Sequence, residues 1–206
     1  MNKKNKIINM SLGVLLCSTL SLMGEVKITE NISSITTKHK GEEVKIERIQ
    51  DPKHRLDNSF TKTSRECPPF CIQPMSIGKV KTIGELEVLD FIKAMKDDSS
   101  LILIDARTRE WYKNNTIPGA INLPFTMLKK NGKYINKILT LLGGVKRGDK
   151  WSFRNVQTLL IFSNGQWDSQ ATKAINSLIE IGYPQDKILY YRGGMQTWQI
   201  LGLTVI

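Results

Sequence analysis

Four consecutive apolar residues, Leu159-Leu160-Ile161-Phe162, end at Ser163 and give way to a short polar loop, after which the hydropathy changes period. Such a run has no polar face to turn toward water, so it suits a strand buried on both sides of a parallel sheet. Beyond the loop, Ala171, Ala174, Ile175, Leu178 and Ile179 recur at i, i+3, i+4, i+7 and i+8, one stripe of an amphipathic helix spanning Ser169 to Ile181. A strand, a tight loop and a helix in that order point loop N–H groups and the helix N-terminus at a common centre, a cradle for an anion. The loop is Ser163, Asn164, Gly165, Gln166, Trp167 and Asp168, with Ser163 at the strand's end.

The same alternation recurs along the chain. Leu101 to Asp105 and Ile188 to Tyr191 read as two more buried strands, while Ile83 to Met95 places Leu86, Val88, Leu89, Phe91 and Ile92 on a broad apolar helical face. Met127 to Leu142 forms a second helical region. Strands alternating with helices predict an α/β fold, a parallel sheet flanked by helices, with its ligand site at the carboxyl ends of the strands.

Three ordered stretches carry a family resemblance. Leu101-Ile102-Leu103-Ile104-Asp105-Ala106-Arg107, with Glu110-Trp111-Tyr112 and Ile117-Pro118-Gly119-Ala120-Ile121-Asn122-Leu123-Pro124, is the first, and the Ser163 loop is the second. Gly182-Tyr183-Pro184, Arg192-Gly193-Gly194-Met195-Gln196-Thr197-Trp198 and Gly202-Leu203-Thr204-Val205 complete the third. Together they resemble the rhodanese (thiosulfate sulfurtransferase) superfamily. The resemblance implies a persulfide-carrying cysteine where Ser163 stands, and in loops of this Asn-Gly kind often a second cysteine where Asp168 stands. Sulfane-sulfur transfer needs a thiolate, which loop N–H groups stabilise by lowering a thiol pKa from about 8.5. A serine hydroxyl needs a general base instead. The two histidines, His39 and His54, lie outside the matched stretches, and no serine triad is readable. Because Asp168 departs from the pattern as well as Ser163, divergence explains the loop better than a single engineered change.

The resemblance therefore implies a catalytically degenerate module that recognises a small anion or a protein partner at the loop face, with no cofactor. Asp168 suits a helix N-cap, or turns its carboxylate into the cradle and repels an anionic donor. Gly165 permits the turn. Trp167 is an exposed recognition aromatic or packs over the loop, and Arg107 and Arg192 serve as salt-bridge or bracing residues at least as readily as substrate contacts.

At the N-terminus, Lys3, Lys4 and Lys6 precede an apolar stretch from Ile7 to Met23. This is the pattern of a signal peptide over residues 1–24, cleaved after Ser21 or Gly24, and it implies an exported, periplasmic protein without stable membrane insertion after cleavage. Leu16 before Cys17 argues against a lipoprotein signal; an uncleaved anchor is the other alternative. Residues 25–78 form a polar extension. Its first part, to residue 66, reads as a flexible or peripheral lead-in with a possible strand or hairpin at Gly41, Val44, Ile46 and Ile49. The rhodanese-like domain occupies 79–206.

In an exported chain, Cys67 and Cys71 of Cys67-Pro68-Pro69-Phe70-Cys71 are expected to form a local disulfide. Alternatives are a thiol pair that relays sulfur or electrons, free thiols, and a Cu(I) site that adds Met75. The formal charge of +11 falls by three with the signal peptide, yet residues 67–206 still hold eighteen Lys and Arg against eleven Asp and Glu. The excess clusters at Lys129, Lys130, Lys133, Lys137, Lys146, Arg147, Lys150 and Arg154. That cluster is either a solvated face or an attractor of anionic substrates, lipid head groups or an acidic partner. Export and the lack of an aromatic-basic motif speak against nucleic acid.

Overall fold

A computed structural model describes residues 24–56 and 58–206. Apart from Gly24, the expected signal segment lies outside the described residues. The chain opens with a hairpin, β1 (Ser34–His39) and β2 (Glu42–Glu47), then a helical turn α1 (Asn58–Thr61). Strand β3 (Lys81–Ile83), helix α2 (Glu85–Ala94), β4 (Leu101–Asp105), α3 (Arg109–Asn114) and β5 (Ile121–Asn122) follow. Helix α4 (Ile135–Leu141) leads to a small hairpin, β6 (Val145–Arg147) and β7 (Lys150–Ser152). The chain closes with β8 (Thr158–Phe162), α5 (Gln170–Ile181), β9 (Ile188–Tyr191) and α6 (Gly194–Ile200).

The central sheet has the order β3-β9-β8-β4-β5, and every neighbouring pair is parallel. The period of two explains how one apolar strand feeds two cores. Leu159 and Ile161 of β8 join Ile104, Ile188 and Tyr190 under α4 and α5, whereas Leu160 and Phe162 join Leu103 and Tyr191 under α2 and α6. On α5 the stripe Ala171, Ala174, Ile175 and Leu178 is fully buried.

Three expectations need correction. Leu86 is 52 % exposed, so the buried face of α2 is narrower than its sequence suggests and rests on Val88, Leu89, Phe91 and Ile92. The helical region over Met127 to Leu142 is two pieces, a 3-10 turn at Phe125–Leu128 and α4, because Asn131-Gly132 forms a turn whose Gly132 N–H donates to Lys129 O at 2.7 Å. A Cβ at Gly132 would lie 2.9 Å from that carbonyl oxygen.

The third correction concerns residues 25–66, which are not a loose lead-in. The hairpin turns at Lys40-Gly41 with φ of 51° and 92°, the positive pair that a two-residue hairpin loop requires. It carries Ile35 and Ile46, and α1 carries Phe60, into the core that contains α2, α6 and Leu203. Backbone bonds from Ile49 N–H to Gly202 O (2.7 Å) and from Thr204 N–H to Glu47 O (3.0 Å) tie this segment to the chain's end.

Candidate functional site

The loop leaves β8 at Ser163 and enters α5 at Gln170, at the carboxyl edge of the sheet. Its backbone is clamped to the start of α6: Met195 N–H donates to Ser163 O (3.0 Å) and Gln196 N–H to Asn164 O (2.9 Å). That approach needs Gly194, which has φ of 58° and whose position leaves no room for a side chain, since a Cβ would lie 2.4 Å from Ser163 O.

Asp168 fills the loop from inside. Its Oδ2 accepts from Asn164 N–H (3.0 Å) and from the Gln170 side-chain amide (3.0 Å), while Oδ1 accepts from Gln170 N–H (3.1 Å). Of the two readings of this residue the second holds: the carboxylate occupies the cradle, whereas the N-cap of α5 is Ser169, whose carbonyl accepts from Lys173 N–H (2.9 Å), and Asp168 bonds Gln170 N–H from one position before it. Charge-assisted bonds to three donors satisfy its charge while leaving it 4 % exposed. Ser163 is 3 % exposed, and its hydroxyl donates to the Asp168 carbonyl at 3.3 Å. Neither histidine hydrogen-bonds to Ser163; His39 Nδ1 accepts from Gly119 N–H at 3.2 Å.

Beneath the loop lies a fully buried ion pair. Arg107 Nε donates to Asp105 Oδ1 (2.9 Å) and Nη2 to Oδ2 (2.6 Å), and Thr116 Oγ1 donates to Asp105 Oδ2 (2.8 Å). The remaining arm of Arg107 holds Asn164 Oδ1 (3.1 Å), so this arginine is a bracing residue. On β9, Tyr190 is buried and its hydroxyl pKa is pushed up to about 12, by burial first, with Arg192 pulling it down and Asp168 pushing it up.

A strap from the extension covers the loop. Gln73 N–H donates to Gln166 O (2.8 Å), Gln73 Oε1 accepts from Thr172 Oγ1 (2.6 Å), and Arg192 holds Gln73 O through Nε (3.1 Å) and Nη2 (2.8 Å). Trp167 packs rather than projecting freely. The Arg65 guanidinium lies 3.7 Å from its ring centroid, Phe70 meets it edge-on at 5.6 Å, and its Nε1–H donates to Gln196 Oε1 (2.8 Å). Residues 67–70 form a turn closed by a Cys67–Cys71 disulfide, with Cα atoms 4.7 Å apart. The sulfurs are bonded to each other, so neither presents a thiolate alongside Met75, which is 65 % exposed. Among the described residues, no group of three or more His, Cys, Asp or Glu side chains could hold a metal ion.

Sequence reasoning missed Arg65, Gln73, Gln170 and Gln196. Arg65, Gln73 and Gln196 have partners fixed by tertiary placement, and Gln170, besides its local bonds to Asp168, accepts from Thr108 N–H (3.0 Å) across 62 positions, so no local pattern marks any of them.

A parallel sheet flanked by helices, with a helix-entering loop at its carboxyl edge, defines an α/β domain of the single-sheet kind. The profile of the Rhodanese-like domain family matches residues 88–201, more than half of the chain, and the chain belongs to that family. Among solved structures, it is 21 % identical to the BH2092 protein of Bacillus halodurans, covering 61 % of this chain and 76 % of that one with a TM-score of 0.44. It is 18 % identical to a rhodanese-related protein of Thermoplasma volcanium (61 % and 97 % covered, TM-score 0.41) and 21 % identical to the human single-domain sulfurtransferase TSTD1 (59 % and 96 %, TM-score 0.39). No curated protein matches the chain. No helix among the described residues is long and apolar enough to cross a membrane.

Proposed function

We propose that this is an exported rhodanese-like module that does not transfer sulfur through its loop and acts by engaging a protein partner on the face that the loop and strap present. The reading rests above all on Asp168, whose carboxylate holds the N–H groups that an anionic donor would need. Ser163, at the position where the family resemblance places a cysteine, has no base to activate it and cannot carry a persulfide at neutral pH. Of the two expected occupants, the filled cradle disfavours a small anion. A protein is favoured by the apolar side chains that the strap turns outward, Phe70 (40 % exposed), Ile72 (84 %) and Met75 (65 %).

The test is thiosulfate:cyanide sulfurtransfer by the exported chain. Background activity is expected, and Ser163→Cys alone should restore little, because the neighbouring carboxylate opposes thiolate formation. Ser163→Cys combined with Asp168→Asn should exceed the single change by at least about tenfold. Strong transfer by the unmodified protein would overturn the reading.

A second reading has one observation behind it: Cys67 is exposed and the disulfide sits on the strap that covers the loop. In that reading the pair exchanges electrons or sulfur with an external thiol. Ready reduction by a small dithiol with regeneration by a disulfide, lost on Cys71→Ser, supports it; inertness to both removes it.

A further inference from the structure

We infer that the face built by residues 129–154 is a peripheral docking surface for an anionic lipid bilayer. Helix α4 turns Ile135, Ile138 and Leu139 into the core, and the β6–β7 hairpin packs on its far end, where Gly144 N–H donates to Leu139 O (2.8 Å) and Trp151 covers Gly144. Lys130 and Lys150 line one cleft of about 480 Å³ between these elements. The eight cations are all exposed, and Asp149 is the only carboxylate in this stretch. Among the described residues none of the eight forms an ion pair with a carboxylate.

Two features distinguish this face from an ordinary solvated one. Arg147 and Lys150 stand directly opposite each other in the hairpin, a like-charge cross-strand pair that costs stability unless an anion screens it. Interspersed with the cations are three exposed apolar side chains, Tyr134 (49 %), Leu141 (68 %) and Val145 (56 %), with Lys133 Nζ 5.5 Å from the Tyr134 ring centre. Cations that meet phosphates while apolar tips enter the acyl boundary are the chemistry of an interfacial lipid contact. The charge is spread over a helix, its approach and a hairpin, which suits the diffuse negative potential of a bilayer.

The experiment is co-sedimentation of the chain from residue 24 onward, which contains every element of both cores, with lipid vesicles. One set is phosphatidylcholine alone; the other contains about a third phosphatidylglycerol. Binding to the anionic vesicles alone is expected, weakening steeply with salt. Lys146→Gln, Arg147→Gln and Lys150→Gln together should cost roughly a hundredfold, from about fivefold per cation near an anionic surface. Leu141→Ser with Val145→Ser should weaken vesicle binding further without changing the salt dependence, and circular dichroism of each variant checks folding. Absence of binding at low salt, equal binding to neutral vesicles, or retention by the folded triple variant overturns the inference. So does binding indifferent to Leu141 and Val145 that soluble polyphosphate displaces, which would reassign the face to a soluble polyanion.

Discussion

At the scale of single residues, the Asp105–Arg107 pair determines whether the loop keeps its form. Both side chains are fully buried, and the arginine also donates to Asn164 Oδ1 and to Asn115 O at 2.5 Å, so one guanidinium joins β4, the segment after α3 and the loop. Removing one partner of such a pair leaves a buried charge uncompensated. Arg107→Met is expected to lower stability by about 3–5 kcal/mol in urea denaturation, and Arg107→Met with Asp105→Leu by less than the single change. A loss below about 1 kcal/mol for the single variant would mean that water or rearrangement compensates Asp105. Arg107 was visible in the sequence as a bracing candidate because it stands in the first of the three stretches that carry the family resemblance. Its second partner, Asn164, was visible only as a loop residue, since the contact spans 57 positions.

At the scale of elements, the strand-loop-helix of residues 159–181 was readable because strand burial and helix amphipathicity have different periods and the polar loop separates them. The alternation of β8 between two cores follows from the same pleat. The strap was not readable. Its hold on the loop runs from Arg192 to Gln73 across 119 positions, and its apolar residues Phe70, Ile72 and Met75 are interrupted by prolines and follow neither a strand nor a helix period, so hydropathy assigns the segment no place. The hairpin β1–β2 was anticipated as a possible strand or hairpin but not as part of the core, because its one fully buried residue on β2 is Ile46, too sparse a signal against its charged neighbours. This hairpin carries a pH dependence. Burial first, then the charge of Lys40, hold the His39 imidazole below its ordinary pKa, and protonation would also set a second N–H against the Gly119 N–H that Nδ1 now accepts. The unfolded chain thus binds a proton at higher pH than the folded one, so stability rises with pH across this titration. The contribution is complete above the unfolded value of about 6.5 and is lost as pH falls from there through the lower folded value. Thermal melts should therefore show a drop in Tm on acidification below that point, and His39→Gln should flatten it. An unchanged slope in His39→Gln would assign the acid sensitivity to other groups.

At the scale of the whole molecule, the family match begins at residue 88, whereas the folded unit begins much earlier. The edge strand β3, the strap and the hairpin all precede the matched segment, and the hairpin and α1 supply Ile35, Ile46 and Phe60 to the core beneath α2 and α6. Full burial of side chains of this size contributes about 1.5–3 kcal/mol each. Their sum is comparable with the roughly 5–15 kcal/mol by which a domain is stable at all, before the backbone bonds to Gly202 and Glu47 are counted. A chain restricted to 79–206, the domain expected from sequence, would leave Leu203, Trp198 and Met195 facing water where the hairpin and α1 now cover their cluster. It would also leave the loop without Arg65, Phe70 and Gln73 over Trp167 and Gln166. Such a chain is expected to be insoluble, or to keep helical circular dichroism while losing a cooperative melt and binding an apolar dye, the behaviour of a compact state without fixed packing. A cooperative transition at the Tm of the chain from residue 24 onward would show that the extension is an appendage after all, and that the core under α2 and α6 closes without it.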